Sequence, residues 1–282
     1  MEEQGESHAS IHSYSYKPRT MFYHSDGTCY DRHRPVDGVY ELMMGIELET
    51  ELCDENYIPH DANYVNSMAD GLVYLKEDCS ITHGFEIVSH PMTLNYLQSY
   101  AKRYEQSLDY LRKNGYRAWK TSTCGLHIHV SKKSFVDAKH EMKFLYFIFR
   151  NKKALVKFVG RQSSYSRFDL DSFLGNGPGR DEFEKPTVLE VVKGVRKNGD
   201  YVPELRIFRP SLRFTTVLAY AEFVHCLFSY AQVMTANDAL KKNALTSFGP
   251  LLEYAQTNAN LYQNFITRAN NRNVLQAEQE DK

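Results

Sequence analysis

Residues 40–52 read Tyr-Glu-Leu-Met-Met-Gly-Ile-Glu-Leu-Glu-Thr-Glu-Leu, a run in which apolar and acidic side chains alternate. Its even-numbered positions are apolar from Tyr40 to Leu48, whereas Glu47, Glu49 and Glu51 occupy odd-numbered positions. Successive side chains of a β-strand point to opposite faces, so the alternation predicts a strand with one core face and one acidic face. Like charges that close repel one another, and a solvated surface is their usual place. Residues 40–52 alone therefore leave open whether the acidic face is plain surface or lines a site.

The rest of the chain supplies further strands and several helices. Short apolar runs predict strands at 73–75, 85–88, 126–130, 188–195 and 201–208. The last two runs flank Asn198-Gly199, the strongest short-range signal for an antiparallel hairpin. Apolar residues recurring every three or four positions predict helices at 94–114, 141–159, 215–233 and 251–269. This order predicts an α+β fold, with an antiparallel sheet and helices packed on one side of it.

We expect one main domain flanked by irregular ends. Residues 1–36 are rich in Ser, His, Tyr and Arg without steady periodicity, so they predict an irregular N-terminal arm. Residues 37–275 form the expected domain, and the polar residues 276–282 predict a frayed tail. In the arm, the spacing of His24, Cys29 and His33 matches no standard zinc motif, so the sequence does not favour zinc there.

The charge and cysteine content exclude several classes of function. The chain has 34 Lys and Arg against 35 Asp and Glu, a formal net charge of -1, so it lacks the basic field expected for binding nucleic acid or an anionic membrane. No window approaches the apolar length of a membrane span, and the first residues do not resemble a signal peptide. The five cysteines are scattered, as is typical of reduced thiols. We therefore expect a cytoplasmic protein (in the host cytoplasm if it is viral) that acts on a small molecule or peptide; its oligomeric state stays open.

A second predicted strand repeats the alternation with imidazoles. Leu-His-Ile-His-Val at 126–130 places His127 and His129 on one face, and Glu86 lies between apolar neighbours on another strand. A lone histidine of this kind is more often structural, but two in register beside strand carboxylates favour a face that binds metal. Carboxylate oxygens with some imidazole and no thiolate suit Mg²⁺ or Mn²⁺ better than structural Zn²⁺.

The last predicted strand adds an acid and a guanidinium. Glu204 and Arg206 are two residues apart, so their side chains are expected on the same face. The guanidinium donor fork fits oxyanions, so an inward-facing Arg206 would hold a phosphoryl group while Glu204 holds metal. The alternative is an ion pair between the two on the sheet surface.

In order and spacing, these motifs resemble the amidoligase family, relatives of glutamine synthetase and glutamate–cysteine ligase. The resemblance covers 45–210 and rests on Gly-Ile-Glu-Leu-Glu at 45–49, Asp-x-Ser at 78–80, Gly-x-Glu-Ile-Val-Ser at 84–89, Cys-Gly-Leu-His-Ile-His-Val at 124–130, Arg161, and Glu-Leu-Arg-Ile-Phe at 204–208.

The resemblance implies a sheet of the glutamine synthetase type that cradles ATP and divalent ions, Mg²⁺ or Mn²⁺. The implied metal ligands are Glu47, Glu49, Glu86, His127, His129 and Glu204. The implied nucleotide contacts are Arg161, Arg206, Glu204 and His129. The implied catalytic residues are Arg206, Arg161 and Glu86, with the general base open between Glu86 and Glu51.

The implied reaction joins a carboxylate of an amino acid, peptide or protein to an amine. ATP transfers its γ-phosphoryl group to the carboxylate, and the amine attacks the resulting acyl phosphate to leave an amide. Phosphoryl transfer requires mainly positioning and neutralisation of charge, which clustered glutamates with bound metal and arginines would provide.

Two other classes of function stay open. One is a metal-dependent hydrolase in which His127, His129 and carboxylates activate water, although this leaves Arg206 without a role. The other is a non-catalytic binding or structural protein, for example one encoded by a phage, that retains the ligase fold. A cysteine hydrolase using Cys124 with His127 is disfavoured, because side chains three apart on a strand point to opposite faces.

The glycine-rich residues 175–180 are best interpreted as a surface turn, with a mobile phosphate flap as the alternative. They lie within an irregular stretch at 162–186 whose length favours an active-site loop. The chain has no P-loop motif, which excludes a standard P-loop enzyme but not the amidoligase resemblance.

Overall fold

The computed structural model describes residues 11–52, 58–121, 123–161, 192–197, 200–235 and 244–279. Its strands are β1 (Phe22–Tyr23), β2 (Cys29–Tyr30), β3 (Met44–Glu51), β4 (Val73–Lys76), β5 (Gly84–Ser89), β6 (Leu126–Val130), β7 (Val192–Lys197) and β8 (Asp200–Phe208). Its helices are α1 (Ile58–Ala69), α2 (Leu94–Ser99), α3 (Ala101–Lys113), α4 (Ala138–Arg150), α5 (Lys152–Val159), α6 (Phe214–Val233), α7 (Gly249–Thr257), α8 (Gln263–Asn271) and α9 (Val274–Gln279). The sequence motif at 175–180 and the stretch 162–186 lie outside the described residues.

Six of the described strands form one sheet in the order β4-β5-β3-β6-β8-β7, and every neighbouring pair is antiparallel. Strand β3 lies inside the sheet between β5 and β6, and the hairpin of β7 and β8 closes with Lys197 opposite Asp200. The predicted antiparallel α+β architecture is confirmed. Strand β3 begins at Met44, so the predicted start at residue 40 was wrong by four residues.

The core lies between the apolar face of the sheet and the helices. Ile46 and Leu48 of β3 join the same buried cluster as Ile128 of β6 and Leu205 of β8. Strand β8 packs directly on α6, where the rings of Phe208 and Tyr220 have centroids 4.8 Å apart. The opposite face of the sheet is consequently left for polar side chains.

Three of the predicted helices are each divided in two. The helix predicted at 94–114 is interrupted at Tyr100, and the helix predicted at 141–159 is interrupted at Asn151. The Asn151 side chain donates hydrogen bonds of 2.9 Å from Nδ2 to the carbonyls of Phe147 and Leu245. The helix predicted at 251–269 stops after Thr257 and resumes at Gln263. Apolar spacing continues across each break, so periodicity alone does not reveal it.

Helix α6 is the central helix, and its side chains are buried all around. Such a helix needs neighbours on every side, and α6 packs against α2, α3, α4, α7 and α8. No helix in the described ranges is both long enough and apolar enough to cross a membrane.

The described part of the N-terminal segment, residues 11–36, contacts the sheet. The backbone N–H of Tyr23 donates to Pro91, and the N–H of Thr93 donates back to Tyr23, both at 3.0 Å. His33 is buried between Glu41 and Ser131, and the buried His24 pairs with the Glu41 carboxylate at 2.7 Å. At the other end, α9 extends to Gln279, so it overlaps the stretch predicted to be a frayed tail.

Candidate active site

Strands β3, β6 and β8 bring acids and imidazoles together on the polar face of the sheet. Glu47 lies opposite His127, and His129 lies opposite Glu204. His129 Nε2 is 3.0 Å from Glu47 Oε2, and His127 Nδ1 is 3.1 Å from Glu204 Oε1. The two histidines of β6 thus contact glutamates on opposite sides: His129 contacts Glu47 of β3, and His127 contacts Glu204 of β8. The four side chains therefore form one continuous polar surface.

Glu47, His129 and Glu204 each offer a ligand atom, and these atoms all lie within 4.8 Å of one another. They are the one group of this kind among the described residues. His129 and Glu204 are buried, while Glu47 is partly exposed, which leaves a side open to solvent. Two carboxylates and an imidazole fit Mg²⁺ or Mn²⁺ by donor type, since these ions prefer oxygen ligands.

Glu86 lies one strand further along the same face. It is opposite Glu49 on one side and opposite Lys76 on the other, and Lys76 Nζ is 2.9 Å from Glu86 Oε2. Burial, reinforced by the charge of Glu47, raises the pKa of Glu86 to about 7, although Lys76 opposes the shift. Lys76 was missed by the sequence analysis because the predicted strand ended at residue 75. The alternation of Tyr74 with Lys76 was the available signal.

The Glu49 carboxylate fixes the backbone just before β6 and also adds negative charge to the polar face. Its Oε2 accepts a 2.5 Å hydrogen bond from the backbone N–H of Gly125. Burial raises the pKa of Glu49, while His127 and the Gly125 N–H lower it. A Cβ on Gly125 would lie 2.7 Å from His127 Nε2, so the glycine leaves the imidazole its space. Glu51, at the end of the strand, accepts a 2.7 Å hydrogen bond from the hydroxyl of Thr123.

Arg206 lies at an irregularity in the pairing of β6 and β8. Leu126 pairs with Phe208, but Ile128 pairs with Leu205, so β8 has one residue more than β6 between these pairs. A β-bulge of this kind changes the direction of local side chains. Arg206 Nη1 donates to Glu204 Oε1 at 2.5 Å, and its side chain is 23% exposed. The guanidinium therefore lies beside the acidic group and remains accessible.

Arg161 approaches the same region from the end of α5. Its Nη1 donates a 3.2 Å hydrogen bond to the Phe208 carbonyl at the end of β8. Burial lowers the pKa of Arg161, and Glu49 and Arg206 are near enough for their charges to act on it. It therefore lies at the Glu49 end of the polar face.

The described structure thus gathers all eight sequence-predicted site residues in one region. Seven come from four adjacent strands and Arg161 from the segment after α5; the strand residues are Glu47, Glu49, Glu86, His127, His129, Glu204 and Arg206. Of the six predicted metal ligands, three form the compact group around Glu47, whereas Glu49, Glu86 and His127 lie around it. Cys124 is a poor candidate for a nucleophile, because burial raises the pKa of its thiol to about 12.

Comparison with known proteins supports the family resemblance. Residues 41–165 match the model of a family described as "Putative amidoligase enzyme". This stretch is amidoligase-like in sequence. The amidoligase-like stretch includes β3, β5 and β6, and it ends before the strand that carries Glu204 and Arg206.

Among solved structures, the chain is similar to one titled "Crystal structure of the complex between Prokaryotic Ubiquitin-like Protein Pup and its Ligase PafA". The identity is 10% and the TM-score 0.35, and the match covers 84% of this chain. It spans 62% of that chain. No curated protein sequence matches this one.

Proposed function

We propose that the protein is an ATP-dependent carboxylate–amine ligase. The observation that carries this proposal is the group formed by Glu47, His129 and Glu204, whose ligand atoms lie within 4.8 Å of one another on three adjacent strands. Arg206 is bound to one member of the group. A carboxylate-rich cation site beside a guanidinium suits phosphoryl transfer, which depends on positioning and neutralisation of charge. The amidoligase-like sequence of residues 41–165 supports the same class of reaction.

In this proposal, Glu47, His129 and Glu204 hold Mg²⁺ or Mn²⁺, with Glu49, Glu86 and His127 as further ligands around them. When bound, these ions supply charge neutralisation for the phosphate oxygens of ATP. Arg206 and Arg161 donate hydrogen bonds to the phosphoryl group or to the substrate carboxylate, because a guanidinium binds oxyanions through paired donors.

The proposed reaction activates a carboxylate that is itself a poor acyl donor. The γ-phosphoryl group of ATP passes to the carboxylate oxygen with release of ADP, and attack by the amine then displaces phosphate and leaves the amide. Glu86 is the proposed base for the amine proton, which its carboxylate can accept through an oxygen that does not hold metal. Glu51 is less suited, since its carboxylate is bound to Thr123.

The first test is whether ATP binding requires the glutamate group and a divalent metal. Calorimetry should detect ATP binding in Mg²⁺ but not in EDTA, and Glu47→Gln should weaken binding at least tenfold. Glu105→Gln, which removes the same charge from an exposed position on α3, is the matched control and should bind as wild type does. The metal-free Glu47→Gln protein should unfold at the same temperature as wild type or higher, since repulsion among carboxylates is reduced. Equal ATP affinity with and without metal would contradict the proposal.

The second test is catalytic. The protein with Mg²⁺ and ATP is incubated with pairs of candidate acids and amines, and ADP and amide are measured. ADP formation that requires both substrates supports the ligase. Hydrolysis of an added ester or amide without ATP would favour the metal-dependent hydrolase. Binding of ATP and metal with no stimulated ADP release would favour a non-catalytic protein.

A further inference from the structure

Three guanidinium groups meet at the end of the sheet, outside the acidic site. They belong to Arg209, just after β8, to Arg268 on α8 and to Arg272, just after α8; we call them the arginine cluster. Burial and the charge of Arg272 lower the pKa of Arg209. Burial likewise lowers the pKa of Arg268, with Arg272 and Arg209 adding to the effect and Tyr220 opposing it. The three positive charges are therefore close enough to repel one another.

Neutral groups hold each guanidinium in place. Arg268 donates to the carbonyls of Phe158 and Val159 at 3.0 Å and to the Tyr220 hydroxyl at 2.8 Å. The Cζ of Arg209 lies 3.8 Å from the centre of the Trp119 ring, a cation–π contact. These contacts orient the cluster without neutralising it.

Arg272 packs against the backbone at the end of α5. Gly160 has φ +72, and a Cβ there would lie 2.8 Å from both terminal nitrogens of Arg272. The glycine therefore provides both the left-handed helix end and the space for the guanidinium. Among the residues described, no carboxylate forms an ion pair with any member of the arginine cluster.

Within the described part of the chain, the charges around the cluster do not balance. Helices α5 and α8 both end here, and each helix C-terminus contributes roughly half a negative charge. Three guanidiniums against about one negative charge leave about two positive charges that no group within the described ranges compensates. The three side chains are only partly exposed, so solvent screens the repulsion less than it would on an open surface. A bound anion would relieve this repulsion.

The cluster also adjoins the proposed catalytic face. Arg161 follows Gly160, against which Arg272 packs, and it donates to Phe208, the residue before Arg209. From the structure we infer that the arginine cluster is a binding site for an oxyanion, namely a phosphate or carboxylate group. The planar donors of arginine bind either group in the same manner. The site does not depend on the ligase proposal, because an anion can bind here whether or not the acidic face is catalytic.

The test uses inorganic phosphate with the full chain in EDTA, so that no metal contributes. Phosphate should raise the wild-type unfolding temperature, with chloride at equal ionic strength as reference. Arg209→Gln and Arg272→Gln should each weaken phosphate binding at least tenfold in calorimetry. Without phosphate they should be no less stable than wild type, since each removes a repelling charge. Arg112→Gln is the matched control, because Arg112 pairs with Asp109 on the exposed side of α3.

The source of the oxyanion follows from titrations of the same variants with Mg²⁺-ATP and with glutamate. A parallel tenfold loss of ATP affinity assigns the site to a nucleotide phosphate. Unchanged ATP affinity with competition between glutamate and phosphate assigns it to a carboxylate ligand, and loss of phosphate binding alone assigns it to free phosphate. A wild-type protein that does not respond to phosphate, or cluster variants that respond as wild type does, would overturn the inference.

Discussion

Arg206 makes one side-chain hydrogen bond to the described residues, and most of its donors have no partner among them. Its Nη1 donates to Glu204, and a guanidinium has five N–H donors in all. The β-bulge in β8 places it beside the group of Glu47, His129 and Glu204. Glu204 thus orients Arg206 while the rest of its donor fork can bind an oxyanion.

We predict that Arg206→Lys will lower turnover on the order of a hundredfold. Lysine keeps the charge but loses the paired donors, so the loss should exceed any loss of ATP affinity. ADP release with acid and amine substrates measures turnover, and calorimetry measures ATP affinity. Arg150→Lys on α4, where the guanidinium hydrogen-bonds to Tyr146 and lies over its ring, is the control. Normal turnover of Arg206→Lys would mean that Arg206 serves only as the ion-pair partner of Glu204.

Helix α8 depends on a carboxylate from another helix. No side-chain cap bond is made by Tyr262, the residue that precedes α8. Instead Glu222, fully buried in α6, accepts from the backbone N–H of Phe265 at 2.8 Å and from the Asn264 side chain at 2.7 Å. Gln98 donates to the same carboxylate at 3.3 Å. Glu222 therefore joins three helices and satisfies an N–H group at the start of α8.

We predict that Glu222→Ala will lower the free energy of unfolding by about 2–3 kcal/mol, because it leaves buried donors without an acceptor. Glu222→Gln should cost less, since it keeps one acceptor oxygen and the amide has no charge to bury, whereas burial raises the pKa of the carboxyl. Glu253→Ala at an exposed position of α7 is the control. Urea unfolding gives all three values. An unchanged midpoint for Glu222→Ala would show that Glu222 does not stabilise α8.

Two histidines, the buried His33 and the partly buried His225, each contact residues from distant parts of the sequence. His33 Nε2 donates to the Glu41 carbonyl at 3.1 Å, so its Nδ1 accepts from the Ser131 hydroxyl at 2.9 Å, as only the neutral ring can. His225 on α6 lies 3.0 Å from the hydroxyl of Tyr262. Burial lowers the pKa of both histidines to about 4.

Acid should therefore destabilise the whole fold. A histidine whose pKa is lowered by folding contributes full stability above its unfolded value of about 6.5, and that contribution is lost as the pH falls towards 4. The loss is up to about 3 kcal/mol for the buried His33 and less for His225, which is partly exposed. Urea unfolding from pH 7.5 to 4 should show this decline, and His33→Gln and His225→Gln should each flatten it. His60→Gln, exposed on α1, should not. If the free energy of unfolding fell with pH as steeply in both variants as in wild type, the prediction would be contradicted.

The sequence by itself determined the local elements and the chemistry of one face. Strand β6 was predicted with its observed bounds, Leu126–Val130, and β3 with its core and acidic faces. This was possible because alternation is a consequence of backbone geometry within one strand. The same period assigned His127, His129 and the glutamates to polar faces before the order of the strands was known.

Only the tertiary structure decided which polar residues meet. The strand order places β3 between β5 and β6, and it thereby brings Glu47 to His129 and Glu204 and adds Lys76 beside Glu86. The bulge at Arg206 and the breaks within the predicted helices also depend on partners distant in the chain. The same holds for the arginine cluster, drawn from the end of β8 and from α8. Local periodicity carries no information on pairing between distant segments, which is set by burial of the shared core and by satisfying backbone hydrogen bonds across strands.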